Sequence, residues 1–145
     1  METILTNMCM IENDQDEVVV QKRVKEWSGC VFPGGKVEPN ESFVDSVKRE
    51  IKEETNLTLK SVKLVGLKQF PYNGKLFIVM LFKSTDFFGT LQSSSEGEVF
   101  WCKKDKLVDL DSPITFKEML PIFDDESISE MQLLEKDDEW SIIIK

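Results

Sequence analysis

Three glutamates, Glu50, Glu53 and Glu54, crowd one short stretch behind Arg49, with Glu41 a little upstream. Carboxylate oxygens in such a group suit two kinds of chemistry: ligation of hard divalent cations such as magnesium or manganese, and proton abstraction from water. The stretch Glu41 to Asn56 reads as a helix with Phe43, Val44, Val47 and Ile51 as its core-facing stripe. With Phe43 at zero and about 100° per residue, Glu54 falls near 20°, Glu50 near 340° and Glu53 near 280°. All three acids therefore flank the apolar stripe, while Asp45, Lys48 and Lys52 take the solvent side. Like charges one turn apart destabilise a helix, desolvation penalises their ionised forms, and the C-terminal end of the helix dipole disfavours them further. A bound cation would relieve all three penalties. From geometry alone a solvated acidic face balanced by Arg49, Lys48 and Lys52 stands beside that reading.

The loop before the helix carries complementary groups. Gly34, Gly35 and Lys36 let backbone approach a metal or a phosphate closely. Lys36 and Arg23 supply positive charge for phosphate oxygens, and Glu38 and Glu41 add carboxylates at the helix entrance. The bland alternative for Phe32-Pro33-Gly34-Gly35 is a tight turn and nothing more.

These residues sit in a chain of 145 residues with 41% hydrophobic and 31% charged composition, which suits a single globular domain over 1–145. The formal charge is -9, so a nucleic-acid polymer is a disfavoured partner. Histidine is absent, which excludes a Ser-His-Asp triad, a Cys-His pair and a histidine metal site. Three scattered cysteines, Cys9, Cys30 and Cys102, argue against a disulfide framework or zinc knuckle and read as buried thiols. No signal-peptide pattern and no bilayer-length apolar run is evident, so a cytoplasmic protein without membrane association is expected.

Strands are expected at Thr3 to Ile11, Glu17 to Val24, Leu59 to Phe70, Leu76 to Lys83 and Glu98 to Cys102, with the turn Pro71-Tyr72-Asn73-Gly74 between the third and fourth. A second helix is expected to start at Ser112-Pro113 or at the rival box Thr115-x-x-Glu118, limited or kinked by Pro121. Trp140 to Ile144 reads as a final strand, and the acidic segment from Asp124 to Asp138 has no clear pattern. Mixed strands with two helices place the chain in the α/β class.

Taken together the chemical residues resemble the Nudix signature, G-x5-E-x7-R-E-U-x-E-E-x-G-U, with U a bulky aliphatic residue. The match runs through Gly35, Glu41, Arg49, Glu50, Ile51, Glu53, Glu54, Asn56 and Leu57. Every charged position is filled. The one departure is Asn56 where the family has glycine; the position ends the helix in a left-handed conformation, and asparagine is the next-best residue there. The segment Glu96 to Trp101 also resembles the acidic loop and strand of MutT-like members.

The resemblance implies an α/β/α sandwich with a mixed central sheet and the motif helix on one face. It implies a magnesium- or manganese-dependent hydrolase of a diphosphate linked to another moiety. Glu50 and Glu54 correspond to metal ligands, Glu53 to a further ligand, and the carbonyl of Gly34 or Gly35 to a completing one. Arg49 corresponds to the arginine that supports the motif glutamates. The general base is Glu53 or Glu98, with Glu50 not excluded; Glu98 read without the family is an exposed strand acid. For substrate, Arg23 and Lys36 are expected at phosphate and Trp27 at the nucleobase, although a surface ion pair for Arg23 and plain packing for Trp27 fit equally. A MutT-like nucleoside triphosphate pyrophosphatase, of the 8-oxo-dGTP diphosphatase kind, is the leading expectation. ADP-ribose, a dinucleoside polyphosphate or a non-catalytic nucleotide-binding module are the alternatives, and the protein is expected to be a monomer or a homodimer.

Overall fold

The computed structural model describes residues 1–24 and 28–145; the expectation placed on Trp27 lies outside the described residues. Two sheets form the centre. The larger contains β1 (Glu2–Ile11), β4 (Thr58–Tyr72), β5 (Lys75–Phe88), β7 (Glu130–Lys136) and β8 (Glu139–Ile144), in the order β1-β5-β4-β7-β8. The smaller contains β2 (Glu17–Arg23), β3 (Gly29–Val31) and β6 (Gly97–Lys103), in the order β3-β2-β6. Pairing is mixed: β1 runs parallel to β5 and β4 to β7, whereas β4–β5 and β7–β8 are antiparallel.

Strand alternation sends side chains to two apolar layers. On one face Cys9, Ile11, Val19, Met80, Phe82 and Val99 pack with Val47 and Ile51 of α1 (Phe43–Thr55). On the other face Met10, Val18, Val20, Val79, Leu81 and Met131 pack with residues of two short helices, α2 (Phe116–Met119) and α3 (Pro121–Asp124). The result is a sandwich with helix on both sides of mixed sheet, as expected.

Local chemistry sets the boundaries. Ser42 caps α1, its hydroxyl accepting from the Asp45 amide at 2.9 Å. Asn56 ends it at φ 66°, its amide donating to the Lys52 carbonyl, so asparagine occupies the left-handed position that the family fills with glycine. The β4–β5 hairpin turns on Asn73 and Gly74, both at positive φ, as a two-residue turn of this hand requires.

Several expectations are corrected. Phe43 and Val44 are largely exposed, and the buried face of α1 is Ser46, Val47, Ile51, Glu54 and Thr55. The apolar layer beneath the helix meets Val47 and Ile51, leaving the first turn without a core to enter. The second helix is limited at Pro121, as expected, and divides there into α2 and α3, because proline cannot donate to the preceding turn. Thr115 precedes α2 in a left-handed conformation with no capping bond; its hydroxyl instead meets the Lys68 Nζ at 3.1 Å. The patternless acidic segment contains β7, held by long-range pairing to Leu67–Gln69.

Candidate functional site: an acid-rich helix against a diglycine loop

Residues 33–37 run antiparallel to β1. The Cys9 amide donates to the Pro33 carbonyl at 2.9 Å, the Asn7 amide to Gly35 at 2.8 Å, and the Val37 amide to Leu5 at 3.1 Å. In an extended chain the amide and carbonyl of one residue point to the same side. Gly34, lying between the two bonded carbonyls, therefore turns its own groups away from β1. Its amide meets Glu54 Oε2 at 3.0 Å, and its carbonyl shares that side.

Both glycines are required by close approach. A Cβ on Gly34 would collide with the Asn7 backbone, and one on Gly35 would collide with the Glu50 carboxylate. The diglycine thus seats loop backbone against the acids of α1. Asn7 secures the arrangement: its buried side chain accepts from the Gly35 amide at 3.1 Å and donates to Ser46 Oγ at 2.9 Å, tying loop, strand and helix together. Asn7 and Ser46 escaped the sequence reading. Their signal was a polar residue in an apolar strand and a small one on the helix's inner side.

The acids are graded by burial. Glu54 is 6% exposed, and the side chains of Glu50 and Glu53 are 14% and 59% exposed. Burial raises Glu54 to about 8; the Gly34 amide and Arg23 oppose this, while Glu50 and Glu96 add to it. Glu50 is also raised, by burial first, against the hydrogen bond and charge of Arg49.

Arg49 is the hub. Its Nε and Nη2 grip the two Glu41 oxygens at 2.6 and 3.0 Å, Nη1 reaches Glu50 at 3.0 Å and Glu53 at 3.3 Å, and Nη2 donates to the Lys36 carbonyl at 3.1 Å. The bidentate fork holds Glu41 down at about 2. Arg49 therefore orients the acids and the loop together: it grips Glu41 with two bonds and reaches Glu50 and Glu53 with one each.

Family-model comparison decides what this arrangement belongs to: the NUDIX domain matches residues 3–131. The chain belongs to the Nudix family. It is similar to the CTP pyrophosphohydrolase of Escherichia coli, at 28% identity over 108 residues, 73% of this chain and 80% of that protein. It is also similar to an 8-oxo-dGDP phosphatase of Mus musculus, at 32% identity over 88 residues, 59% of this chain but only 26% of the mouse protein. Among solved structures, the MutT protein of Bacillus halodurans superposes with a TM-score of 0.77 at 26% identity, covering 98% of this chain and 97% of that one. The protein is thus a Nudix hydrolase of the MutT type, an enzyme of phosphoric anhydride bonds.

Within this Nudix domain the remaining expected residues fall into three places. Arg23 is close enough to act on the charge of Glu54. Lys36 is exposed and bridges to Thr6 on the outer side of β1. Glu98 pairs with Lys22 across β2–β6 and lines a cavity of about 380 Å³ with Lys22, Arg23, Cys30, Phe100 and Asp111. Lys22 alternates with Val19 and shares the face of Val20, the layer opposite α1. The structure therefore does not bring Glu98 to the motif acids; the acid of that segment whose charge reaches Glu54 is Glu96. All three cysteines are buried and free, as expected. Among the described residues, no helix is long and apolar enough to cross a membrane.

Proposed function

We propose that this Nudix hydrolase cleaves a nucleoside triphosphate to the monophosphate and pyrophosphate with magnesium or manganese, and that oxidised purine nucleotides such as 8-oxo-dGTP are its substrates. The observation that carries the reading is the nearly buried Glu54 carboxylate beside Glu50 and the outward-turned Gly34 backbone. Burying a carboxylate at this cost is reasonable where a cation joins it.

The donor set fits a hard divalent ion: oxygen ligands only, mostly anionic, with a glycine carbonyl on the same side. Glu50, Glu54 and the Gly34 carbonyl would hold it, with Glu53 as the outer ligand. Among the described residues no three acidic or thiol side chains converge on one point, because Arg49 holds Glu50 and Glu53. Those two arms must swing from the guanidinium, and Arg49 keeps Glu41 when they do. When bound, the ion neutralises the diphosphate and makes attacking water more acidic. Glu53, the most exposed motif acid, accepts the water proton. Arg23 and Lys36 bind phosphate oxygens. The loop backbone, fixed by Asn7, holds the acids to a set geometry.

The relatives support the substrate class without deciding among its members: a CTP pyrophosphohydrolase and an 8-oxo-dGDP phosphatase both act on nucleotides. The complete set of motif acids speaks against a non-catalytic module. A panel of nucleoside triphosphates, oxidised forms, ADP-ribose and dinucleoside polyphosphates, assayed with magnesium or manganese and with products identified, tests the proposal. Release of pyrophosphate and monophosphate from an oxidised purine nucleotide is expected. Turnover confined to ADP-ribose or a dinucleoside polyphosphate would overturn the substrate assignment, and no turnover by folded protein would overturn hydrolysis itself.

A further inference from the structure

The two edges of the larger sheet are finished differently. Along β1 the edge is closed by residues 33–37, whose backbone pairs with Leu5, Asn7 and Cys9. At the opposite edge, among the described residues, β8 pairs with β7 only. An edge strand presents unpaired amides and carbonyls, and proteins ordinarily blunt such edges with charge, proline or a bulge. Between Glu139 and Lys145, β8 reads Trp-Ser-Ile-Ile-Ile, with none of these devices. Trp140, Ile142 and Ile144 are 51%, 40% and 42% exposed. The match to the family model ends at Met131, inside β7, so β8 lies outside that match.

We propose that β8 is a homodimer interface, pairing antiparallel with β8 of a second copy about a two-fold axis at Ile142. Three features converge on that register. First, Lys145 and Glu130 exchange backbone hydrogen bonds at 3.0 and 2.9 Å. By alternation, residues 139, 141, 143 and 145 turn their backbone groups to β7, and 140, 142 and 144 turn theirs outward. A two-fold at Ile142 sets 142 opposite 142 and 140 opposite 144, so every outward group meets another. Second, the same register sets Trp140 against Ile144 of the second copy on one face, an aromatic–β-branched pair of the kind that stabilises sheets. Third, Glu139 then faces Lys145 of the second copy, and the pair occurs twice. The strand is self-complementary in hydrogen bonding, shape and charge, as an isologous contact must be. Asp137 and Asp138 lie in the β7–β8 turn, beyond the paired stretch. The active-site loop is at the far edge, four strands away, so the contact leaves the catalytic groups free.

The test is sedimentation and light scattering of the full chain over a concentration series, joined to cysteine cross-linking. Wild type is expected to pass from monomer to dimer, and Ile142→Lys, which sets like charges on the axis, to remain monomeric with unchanged turnover per chain. Glu139→Lys alone is expected to weaken the dimer roughly fivefold, and Glu139→Lys with Lys145→Glu to restore it; these swaps leave the apolar strand intact. Under mild oxidation Ile142→Cys is expected to give a disulfide dimer, since bonded antiparallel pairs lie about 5.5 Å apart at Cα. Ser141→Cys, opposite Ile143 and diagonal to its own copy, is expected not to. The native thiols are buried and leave the reading clean. A wild type that stays monomeric to its solubility limit would overturn the interface. Failure of the double swap to restore affinity, or equal cross-linking at both positions, would overturn the register.

Discussion

Two charge clusters in this protein differ in balance. Around Lys83 and Lys104, two ammonium groups meet two carboxylates: Asp124 at 3.0 and 3.2 Å, and Glu12 at 3.9 and 3.5 Å. Around Arg49, one guanidinium serves Glu41, Glu50 and Glu53, with Glu38 at 3.7 Å. Glu54 lies beside that group with no ion-pair partner among the described residues, only a backbone amide. The first cluster is electrically complete and pins α3 to β5. The second is left with surplus negative charge next to a buried layer. A fold gains nothing from that surplus, so the difference separates charge that supports structure from charge that awaits a ligand.

The comparison breaks most sharply at turnover. Glu54→Gln keeps the size of the side chain and an acceptor for the Gly34 amide but removes the anion. It is expected to lower kcat by about a thousandfold, and Glu53→Gln similarly, with circular dichroism unchanged. Asp124→Asn, in the balanced cluster, is expected to leave kcat within about twofold. Full activity in Glu54→Gln would show that the surplus is not the site.

Next in size is the response to metal. A ligand that binds only the folded state at a hundred times its dissociation constant adds about 2.7 kcal/mol. Thermal melts with magnesium or manganese against EDTA are expected to show such a gain for wild type and Asp124→Asn, and none for Glu50→Gln with Glu54→Gln. An equal gain in all of them would place the cation elsewhere.

Asp124→Ala removes one of the two anions between Lys83 and Lys104. The group is half exposed, so a loss of about 1 kcal/mol in urea unfolding is expected, with the metal response intact. No loss would mean that the balanced cluster is ornamental.

What was legible in the sequence follows the range of the interactions. The helix from its periodicity, the acids from their spacing, the left-handed Asn56 and the Asn73-Gly74 hairpin are all local, settled within a few residues. What escaped depends on partners distant in the chain. Asn7 matters because Gly35 and Ser46 come to it. Phe43 and Val44 follow the apolar periodicity, yet no core lies beneath them. Glu98 and Glu96 are two residues apart but differ in their relation to Glu54: Glu98, in β6, is paired with Lys22, whereas Glu96 lies in the turn between Ser94 and Gly97. The Arg49–Glu41 fork was within reach, since both belong to the signature, but Glu41 lies before the helix begins and helix spacing does not set its approach to Arg49.

The effect that sets the two clusters against each other in a single titration is the pH dependence of stability without metal. Glu54 sits at about 8 in the folded protein against an ordinary 4.5. Between those values the unfolded chain gives up the proton and the folded one keeps it, so folding weakens as pH rises through that window. Asp124 has the opposite sign: burial pushes it up, but the hydrogen bonds from Lys83 and Lys104 leave it below the ordinary 3.8. Glu41, gripped by Arg49, is held at about 2. Their contributions are complete above the ordinary carboxylate range and disappear as pH falls through their folded values. Stability in EDTA should therefore peak at about pH 5, fall on the alkaline side by roughly 1 kcal/mol per pH unit within the Glu54 window, and fall more gently on the acid side. Urea midpoints at a series of pH values check this. Glu54→Gln should flatten the alkaline limb alone and Asp124→Asn should soften the acid limb alone. If Glu54→Gln instead leaves the alkaline limb in place, the buried carboxylate is already ionised at no cost, and the physical reason for a cation beside it is gone.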